Sequence, residues 1–290
     1  MNRQAIGQVG IILIISLFAY FFALAGSQNG LTLSNGLPLF GICIVLVFLI
    51  QFLAFIPADL QKTEKFYDLT GSFTYIIIVL IAVWLGGNKS QRSILLVVFV
   101  IVWTVRLGVF LFLRVLRSGE DSRFVELKKS SLRFLLVWIM QALWISITIS
   151  AALAAITSTK VVEIGIWGIF GTILWLFGFV IEAIADIQKF NFKKNSENKG
   201  KFINSGLWSK SRHPNYFGEI VLWIGIAIIA IPVLQGWQFI TLISPLFVIL
   251  LLTKVSGIPI LEKQGDERWG GQNEYEEYKE NTPVLIPKFF

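Results

Sequence analysis

The segment GKFINSGLWSKSRHPNYFGEIVLW, residues 200–223, changes at Pro214 from a basic loop into an apolar helix. Proline suits the first helical position because its missing N–H has no partner there, and it holds the preceding residue in extended geometry. We therefore predict a helix that begins at His213 or Pro214. Its first turn offers unpaired N–H groups beside Lys210 and Arg212, which suits either anion binding or an ordinary helix cap in a basic cytoplasmic loop.

The rest of the chain has the same apolar character. Hydrophobic side chains make up 55% of the 290 residues and charged side chains only 15%. Segments of about 20 apolar residues are long enough to cross the hydrocarbon core of a bilayer. Eight such segments are predicted as membrane spans: 6–25, 37–56, 71–85, 93–113, 132–156, 164–187, 216–233 and 237–255. We predict an all-α, multi-pass helical bundle in which residues 1–290 form a single integral-membrane domain.

The distribution of lysine and arginine predicts the orientation of this bundle. With the N-terminus on the cytoplasmic side, nearly all basic residues outside the spans fall on that side, and only Lys89, Arg92 and Lys160 fall on the other. This matches the positive-inside bias of membrane proteins. We therefore expect both termini, and a tail over 256–290, in the cytoplasm.

Charge and composition exclude several classes of function. The net charge of +7 has no soluble basic domain to carry it, so it indicates attraction to anionic membrane lipids and not nucleic-acid binding. Cys43 is the only cysteine and His213 the only histidine, so no metal site is expected. Gly-x-Gly-x-x-Gly and Walker patterns are also absent from the sequence.

Polar residues instead collect near the predicted cytoplasmic ends of the sixth and seventh spans. Asp186 and Lys189 lie three residues apart at the end of the sixth span, and Arg212 and Asn215 flank the start of the seventh, with Glu219 one turn further on. Ionisable groups at the edge of a bilayer are costly and are often functional. The tail is expected to add an amphipathic helix that acts as a lid.

Several motifs resemble one known family. They are EAIADIQK at 182–189, GLWSKSRHPNYFGE at 206–219, DERWG at 266–270 and YEEYKENTPVLIP at 275–287. Together with KFYDLTGS at 65–72 and RFLLVWIMQALW at 133–144, they resemble the DUF1295 group of the steroid 5-alpha-reductase-like superfamily. The resemblance is strongest over 181–288.

The resemblance implies an oxidoreductase of lipid metabolism that uses NADPH. Its hydrophobic substrate would be a steroid-, isoprenoid- or enoyl-lipid-like molecule with a reducible carbon–carbon double bond. The cofactor would lie in a cavity facing the cytoplasm, in a bacterial inner membrane or the endoplasmic reticulum. The implied cofactor-binding residues are Asp186, Lys189, Lys201, Arg212, His213, Asn215, Tyr216, Glu219, Arg268 and Tyr278. The implied catalytic residues are Tyr216, Glu219 and Tyr75, with Tyr67 or Glu64 as alternatives to Tyr75.

Two other functions fit parts of the same pattern. The sequence RHPNY at 212–216, followed by a C-terminal Tyr-x-x-Tyr, also resembles isoprenylcysteine carboxyl methyltransferases, which use S-adenosylmethionine. A non-catalytic lipid-binding or transport bundle is the third candidate. Transporters usually place ionisable groups near the middle of the membrane, whereas here they crowd one end.

Overall fold

The structure, a computed structural model, describes residues 3–87, 89–118 and 124–288. Within these residues the secondary structure is helical apart from two isolated β-bridges. The α-helices are α1 (Arg3–Ser27), α2 (Leu39–Leu60), α3 (Tyr67–Gly86), α4 (Gln91–Ser118), α5 (Ser131–Ile156), α6 (Ile166–Lys194), α7 (Pro214–Ala230), α8 (Ile243–Leu250), α9 (Ile258–Trp269) and α10 (Asn273–Asn281).

Eight helical segments of the described chain are long and apolar enough to cross a membrane, which confirms the predicted fold class. The helix predicted to begin near Pro214 is α7, and it begins at Pro214. The orientation of the termini and the single-domain organisation remain predictions.

The last apolar segment differs from the regular helix that the sequence predicts. A 3-10 helix (Gly236–Leu242) leads into α8, and a π-helical turn (Leu251–Val255) follows it. Pro245 has no N–H to donate, and the Thr241 carbonyl instead accepts a hydrogen bond from the Ser150 hydroxyl at 3.0 Å. Pro245 thus removes one backbone bond close to the change from 3-10 helix to α8, and the Ser150 hydroxyl supplies the donor that the Thr241 carbonyl would otherwise lack.

Residue contacts divide the chain into two units: unit 1 is Met1–Gly165 with Ala230–Ser244, and unit 2 is Ile166–Ile229 with Pro245–Phe290. In unit 1 the second half of α5 is completely buried. Hydroxyl groups bind Ala230–Ser244 to it: Ser158 donates to the Val233 carbonyl at 2.7 Å, and Ser244 donates to the Thr148 carbonyl at 2.5 Å. Such bonds satisfy polar groups that the bilayer cannot.

In unit 2, glycines allow α6 and α7 to touch backbone to backbone. Gly171 and Gly178 on α6 have the same seven-residue spacing as Gly218 and Gly225 on α7, so each pair lies on one helix face. A Cβ atom on Gly178 would lie 2.5 Å from the Gly218 carbonyl oxygen, and one on Gly171 would lie 2.6 Å from that of Gly225. Small residues permit this close approach between membrane helices. The crossing fixes the start of α7 beside the second half of α6.

Candidate functional site

A cleft in unit 2 forms where the end of α6, the loop before α7, α9 and α10 meet, and we call it the unit 2 cleft. The cleft has a volume of about 160 Å³. Five basic side chains and a group of aromatic rings line it. These basic side chains are Lys189, Lys193, Lys201, Arg212 and Arg268.

Glu262 on α9 binds two neighbouring residues at the start of α7. Its Oε2 accepts a hydrogen bond from Arg212 Nη1 at 2.6 Å, and its Oε1 lies 2.7 Å from His213 Nε2. The His213 side chain is only 5% exposed and that of Arg212 13%, while that of Glu262 is 24% exposed. Charge-assisted bonds of this kind are short and stronger than neutral ones. They fix the orientation of both nitrogen-bearing side chains.

The protonation state of His213 follows from its burial. Desolvation lowers the pKa of His213, and this outweighs the opposing effect of its hydrogen bond to Glu262. A neutral imidazole that donates its Nε2–H to the carboxylate carries an acceptor lone pair on Nδ1. Within the described part of the chain, neither His213 Nδ1 nor Arg212 Nε has a hydrogen-bond partner, although both atoms are buried. One acceptor and one donor at the start of α7 are therefore buried without a partner in the described chain.

Acidification is expected to destabilise the protein through His213. The folded-state pKa is below the unfolded value, so between the two the unfolded chain binds more protons and stability falls as the pH falls. The groups that face this imidazole are Glu262, Arg212 and Lys189. The stability that the neutral imidazole contributes is fully present above the unfolded-state pKa and is lost as the pH falls through the folded-state pKa.

The measurement is the thermal unfolding midpoint in detergent at about pH 7 and about pH 5.5, for the wild type and for His213→Gln. The variant keeps an amide donor for Glu262 but cannot gain the proton. Its midpoint should fall less than that of the wild type. Equal falls would show that other groups cause the acid sensitivity.

The C-terminal tail holds the loop that precedes α7. The Arg212 N–H donates to the Pro283 carbonyl at 2.8 Å, the Ser211 hydroxyl donates to the Leu285 carbonyl at 2.8 Å, and the Lys288 N–H donates to the Lys210 carbonyl at 2.9 Å. The sequence predicts one amphipathic helix here, whereas the structure forms two, α9 and α10.

Tyr278 adds a further bond between α10 and this loop. Its hydroxyl donates to the Trp208 carbonyl at 2.7 Å. Burial raises the pKa of Tyr278, so the hydroxyl keeps its proton and stays a donor. The C-terminal tail is therefore attached by hydrogen bonds to the loop that precedes α7.

Four aromatic side chains form one side of the cleft, and we call them the aromatic wall: Phe202, Trp269, Tyr275 and Tyr278. The Phe202 ring lies 5.2 to 5.8 Å from the other three ring centroids. Gly265 lies beside the wall, where a Cβ atom would collide with the Tyr275 hydroxyl. An aromatic surface of this kind suits a flat, partly polar ring of a ligand.

Lys189 lies across an indole in the same cleft. Its Nζ is 4.3 Å from the centre of the Trp208 ring, within the range of a cation–π interaction. The Trp208 Nε1–H donates to the Ala185 carbonyl at 3.0 Å, and the Gln188 Oε1 accepts from the Leu207 N–H at 2.9 Å. The end of α6 thus holds the loop that carries Trp208.

The structure brings together part of the set of site residues that the sequence predicts. Those that line the unit 2 cleft are Lys189, Lys201, Arg212, His213, Arg268 and Tyr278. Tyr216 stacks on the His213 ring, with centroids 5.7 Å apart. Asn215 and Glu219 on α7 are half-buried and Asp186 on α6 is buried, and these three do not line the described cleft.

Tyr75, the remaining predicted residue, belongs to unit 1. It is buried on α3 with its ring edge-on to Trp103 at 5.3 Å. Its catalytic role remains a prediction, as do the roles of the other predicted residues.

Glu262 is not predicted as a site residue from the sequence, and of the aromatic wall only Tyr278 is predicted. Glu262 lies 49 and 50 residues from its partners, and an acid in a polar tail carries no local signal of such a contact. One pattern was available: Glu262, Gly265 and Arg268 recur every three residues and so share one side of α9. A glycine within that stripe indicates close packing on this side of the helix.

One family model matches most of the chain, and several known proteins match shorter parts of it. The model of the family described as "Protein of unknown function (DUF1295)" matches residues 54–282. The 3-oxo-5-alpha-steroid 4-dehydrogenase 1 of Bos taurus is 38% identical over 69 residues, which cover 24% of this chain and 26% of the relative. The enzyme of the same name from Rattus norvegicus is 31% identical over 118 residues, 40% of each chain.

A protein with a different type of name is also similar. The probable O-methyltransferase of Ustilaginoidea virens is 41% identical over 58 residues, 20% of each chain. The chain thus aligns with less than half the length of each of these relatives. No solved structure gives a significant match.

Proposed function

The chain belongs to the DUF1295 family, and from that premise we propose that it is a membrane-embedded reductase that uses NADPH. The reaction would reduce a carbon–carbon double bond in a hydrophobic steroid-, isoprenoid- or enoyl-lipid-like substrate. Similarity to the bovine and rat steroid dehydrogenases supports this reaction class. The lopsided distribution of basic residues supports a cleft on the cytoplasmic side, in a bacterial inner membrane or the endoplasmic reticulum.

The observation that carries the proposal is the chemistry of the unit 2 cleft. Basic side chains and the aromatic wall line the same cleft. Two buried nitrogen atoms, Arg212 Nε and His213 Nδ1, have no hydrogen-bond partner in the described chain. NADPH carries a pyrophosphate, a further phosphate on a ribose, hydroxyl groups and two flat bases. Guanidinium and ammonium groups suit the phosphates, and aromatic rings suit a base. The residues present therefore fit this cofactor.

We assign roles to these residues on that basis. Lys189 and Arg212 would bind the pyrophosphate, and the Nδ1 atom of His213 would accept a hydrogen bond from a hydroxyl or amide group. When bound, NADPH supplies the hydride. Glu262 would hold Arg212 and His213 in place before the cofactor arrives, which reduces the cost of ordering them. The clamped tail would exclude water from the site.

The reaction also requires a proton for the second carbon of the double bond. Tyr216, Glu219 and Tyr75 are the candidate donors. Tyr216 is the best supported of the three, because its ring stacks on that of His213, which lines the cleft. Separate Tyr→Phe replacements at 75 and 216, which remove only the hydroxyl, distinguish the two tyrosines.

A second candidate function is methyl transfer from S-adenosylmethionine. The motif RHPNY and the similarity to the probable O-methyltransferase of Ustilaginoidea virens favour it. S-adenosylmethionine, however, carries one carboxylate and a positive sulfonium, whereas the cleft presents several positive charges. Like charges disfavour this ligand. A lipid-binding or transport bundle would need neither NADPH nor S-adenosylmethionine.

We expect NADPH to raise the thermal unfolding midpoint of the detergent-purified protein, and S-adenosylmethionine to leave it unchanged. A ligand that binds only the folded state stabilises it by about 2.7 kcal/mol at one hundred times its Kd. Arg212→Gln should remove most of the NADPH-induced shift because it removes a cleft cation.

The matched control is Lys210→Gln, since Lys210 is exposed two residues away and does not line the cleft. It should keep the full shift. Stabilisation by S-adenosylmethionine alone would favour the methyltransferase, and stabilisation by neither would favour the non-catalytic bundle. Oxidation of NADPH on addition of an enone steroid, followed at the nicotinamide absorbance, then tests the reaction itself.

A further inference from the structure

The basic side chains of the unit 2 cleft fall into two groups along α9. Arg212 is bound to Glu262, near the start of this helix, and Arg268 lies near its end. Glu262 and Arg268 are six positions apart in the sequence, which corresponds to a distance of about 9 Å along the helix axis. Gly265 lies midway between them on the same side and has no side chain. The cleft thus has two separated places for negative charge.

The second place is formed by Arg268 and Lys201, which we call the rim pair. The Trp269 Nε1–H donates to the Gly200 carbonyl at 2.6 Å, and the Phe202 and Trp269 rings lie 5.8 Å apart. These contacts on both sides of Lys201 bring its backbone next to the end of α9, where Arg268 precedes Trp269. Both members of the rim pair line the cleft and are exposed.

The two groups also differ in whether their positive charges already form ion pairs. The Arg212 guanidinium is already paired with a carboxylate. Neither Lys201 nor Arg268 forms an ion pair within residues 3–87, 89–118 and 124–288. Two uncompensated positive charges beside an aromatic wall suit a doubly charged phosphate group attached to a nucleoside whose base lies on the wall.

We propose that the rim pair, Lys201 and Arg268, binds the 2′-phosphate of the adenosine ribose and so determines the preference for NADPH over NADH. This inference rests on the proposed function, and it adds the residues that select the cofactor. The base would contact Phe202 and Trp269, and the pyrophosphate would lie toward Arg212. An arginine presents a planar fork that binds a phosphate through two parallel hydrogen bonds, and the lysine adds a point charge.

The test compares the affinities of NADPH and NADH for the full chain in detergent, measured by quenching of tryptophan fluorescence. We expect Arg268→Ala and Lys201→Ala each to weaken NADPH binding roughly tenfold and to leave NADH binding unchanged. The double variant should bind the two nucleotides with similar affinity. Because the contact is exposed, the NADPH preference of the wild type should also decline as salt is raised.

Two control variants match the rim pair in charge, exposure and position. The controls are Lys263→Ala and Lys199→Ala. Lys263 lies on the same helix as Arg268 and Lys199 lies in the same loop as Lys201, but neither residue lines the cleft. Both controls should keep the preference of the wild type. As a second measurement, adenosine 2′,5′-bisphosphate should displace NADPH better than adenosine 5′-monophosphate does, and Arg268→Ala should remove this difference.

Each alternative outcome has a distinct meaning. If the rim variants weaken the binding of NADPH and NADH equally, or leave the preference for NADPH intact, the rim pair does not bind the 2′-phosphate. If the wild type binds both nucleotides equally, the inference fails while the proposed reductase remains supported. If the wild type binds neither nucleotide, the proposed function fails and the inference fails with it.

Discussion

Replacing Gly218 by alanine is expected to lower the stability of unit 2 by about 3 kcal/mol and to abolish nucleotide binding in the unit 2 cleft. A Cβ atom at this position would lie 2.5 Å from the Gly178 carbonyl oxygen and 2.6 Å from the Glu182 backbone nitrogen. Both are backbone atoms, so no side-chain rotation relieves the overlap. The helices α6 and α7 would have to separate along the crossing.

This separation matters for the cleft because each helix carries part of it. Lys189 lies on α6, and Arg212 and His213 immediately precede α7. The higher helix propensity of alanine, worth about 1 kcal/mol, offsets only part of the cost. The measurements are the unfolding midpoint in detergent and the shift that NADPH induces in it.

Gly10→Ala is the matched control for this variant. Gly10 lies within α1, and a Cβ atom there would have no atom within 4 Å. Its midpoint should be unchanged or slightly raised, since only the propensity term acts. If Gly218→Ala also kept the midpoint and the NADPH-induced shift of the wild type, α6 and α7 could not cross as closely as described.

Replacing Glu262 by alanine should destabilise the folded protein by about 2 to 4 kcal/mol. The variant would leave the mostly buried Arg212 guanidinium and His213 imidazole without their shared carboxylate. Removing one partner of a buried ion pair costs about 3–5 kcal/mol, and we reduce this figure because a quarter of the Glu262 side chain is exposed.

Glu262→Gln should have an intermediate effect. Its amide oxygen still accepts a hydrogen bond, but the negative charge that faces Arg212 is gone. The measurement is chemical or thermal unfolding, with Glu267→Ala as the control. Glu267 lies on the same helix, is 62% exposed, and its Oε1 is 3.9 Å from the Lys263 Nζ. Equal stabilities of the Glu262 and Glu267 alanine variants would show that the bridge contributes little.

The position of these residues illustrates which contacts a sequence reveals. Arg212 is predicted because it stands in the basic loop just before the proline that starts a helix, whereas His213 is predicted as a site residue only through the family resemblance. Lys189 was predicted because it ends an apolar span close to two acids. Glu262 was not, since periodicity relates residues only within one helix and says nothing about which residue of α9 meets the start of α7.

The close crossing of α6 and α7 follows the same principle. The spacing of seven residues in each glycine pair is visible in the sequence, but the partner of each glycine depends on how the two helices are offset. The last apolar segment, which contains 3-10, α and π turns, is another example. Pro245 indicates that a helix is disturbed, whereas the donor that bonds the Thr241 carbonyl, the Ser150 hydroxyl, is 91 residues away in the sequence and cannot be predicted from a local pattern.

The sequence alone predicts the eight apolar helices, because crossing about 30 Å of hydrocarbon requires a length and an apolar composition that any single segment displays. It also determined the start of α7 and the basic loop before it, because both depend on neighbouring residues. Two further features are seen only once the chain is folded: Glu262 bonds both Arg212 and His213, and the C-terminal tail bonds the loop before α7. These contacts join residues 49 or more positions apart, and their geometry depends on how whole helices pack rather than on any local pattern of residues.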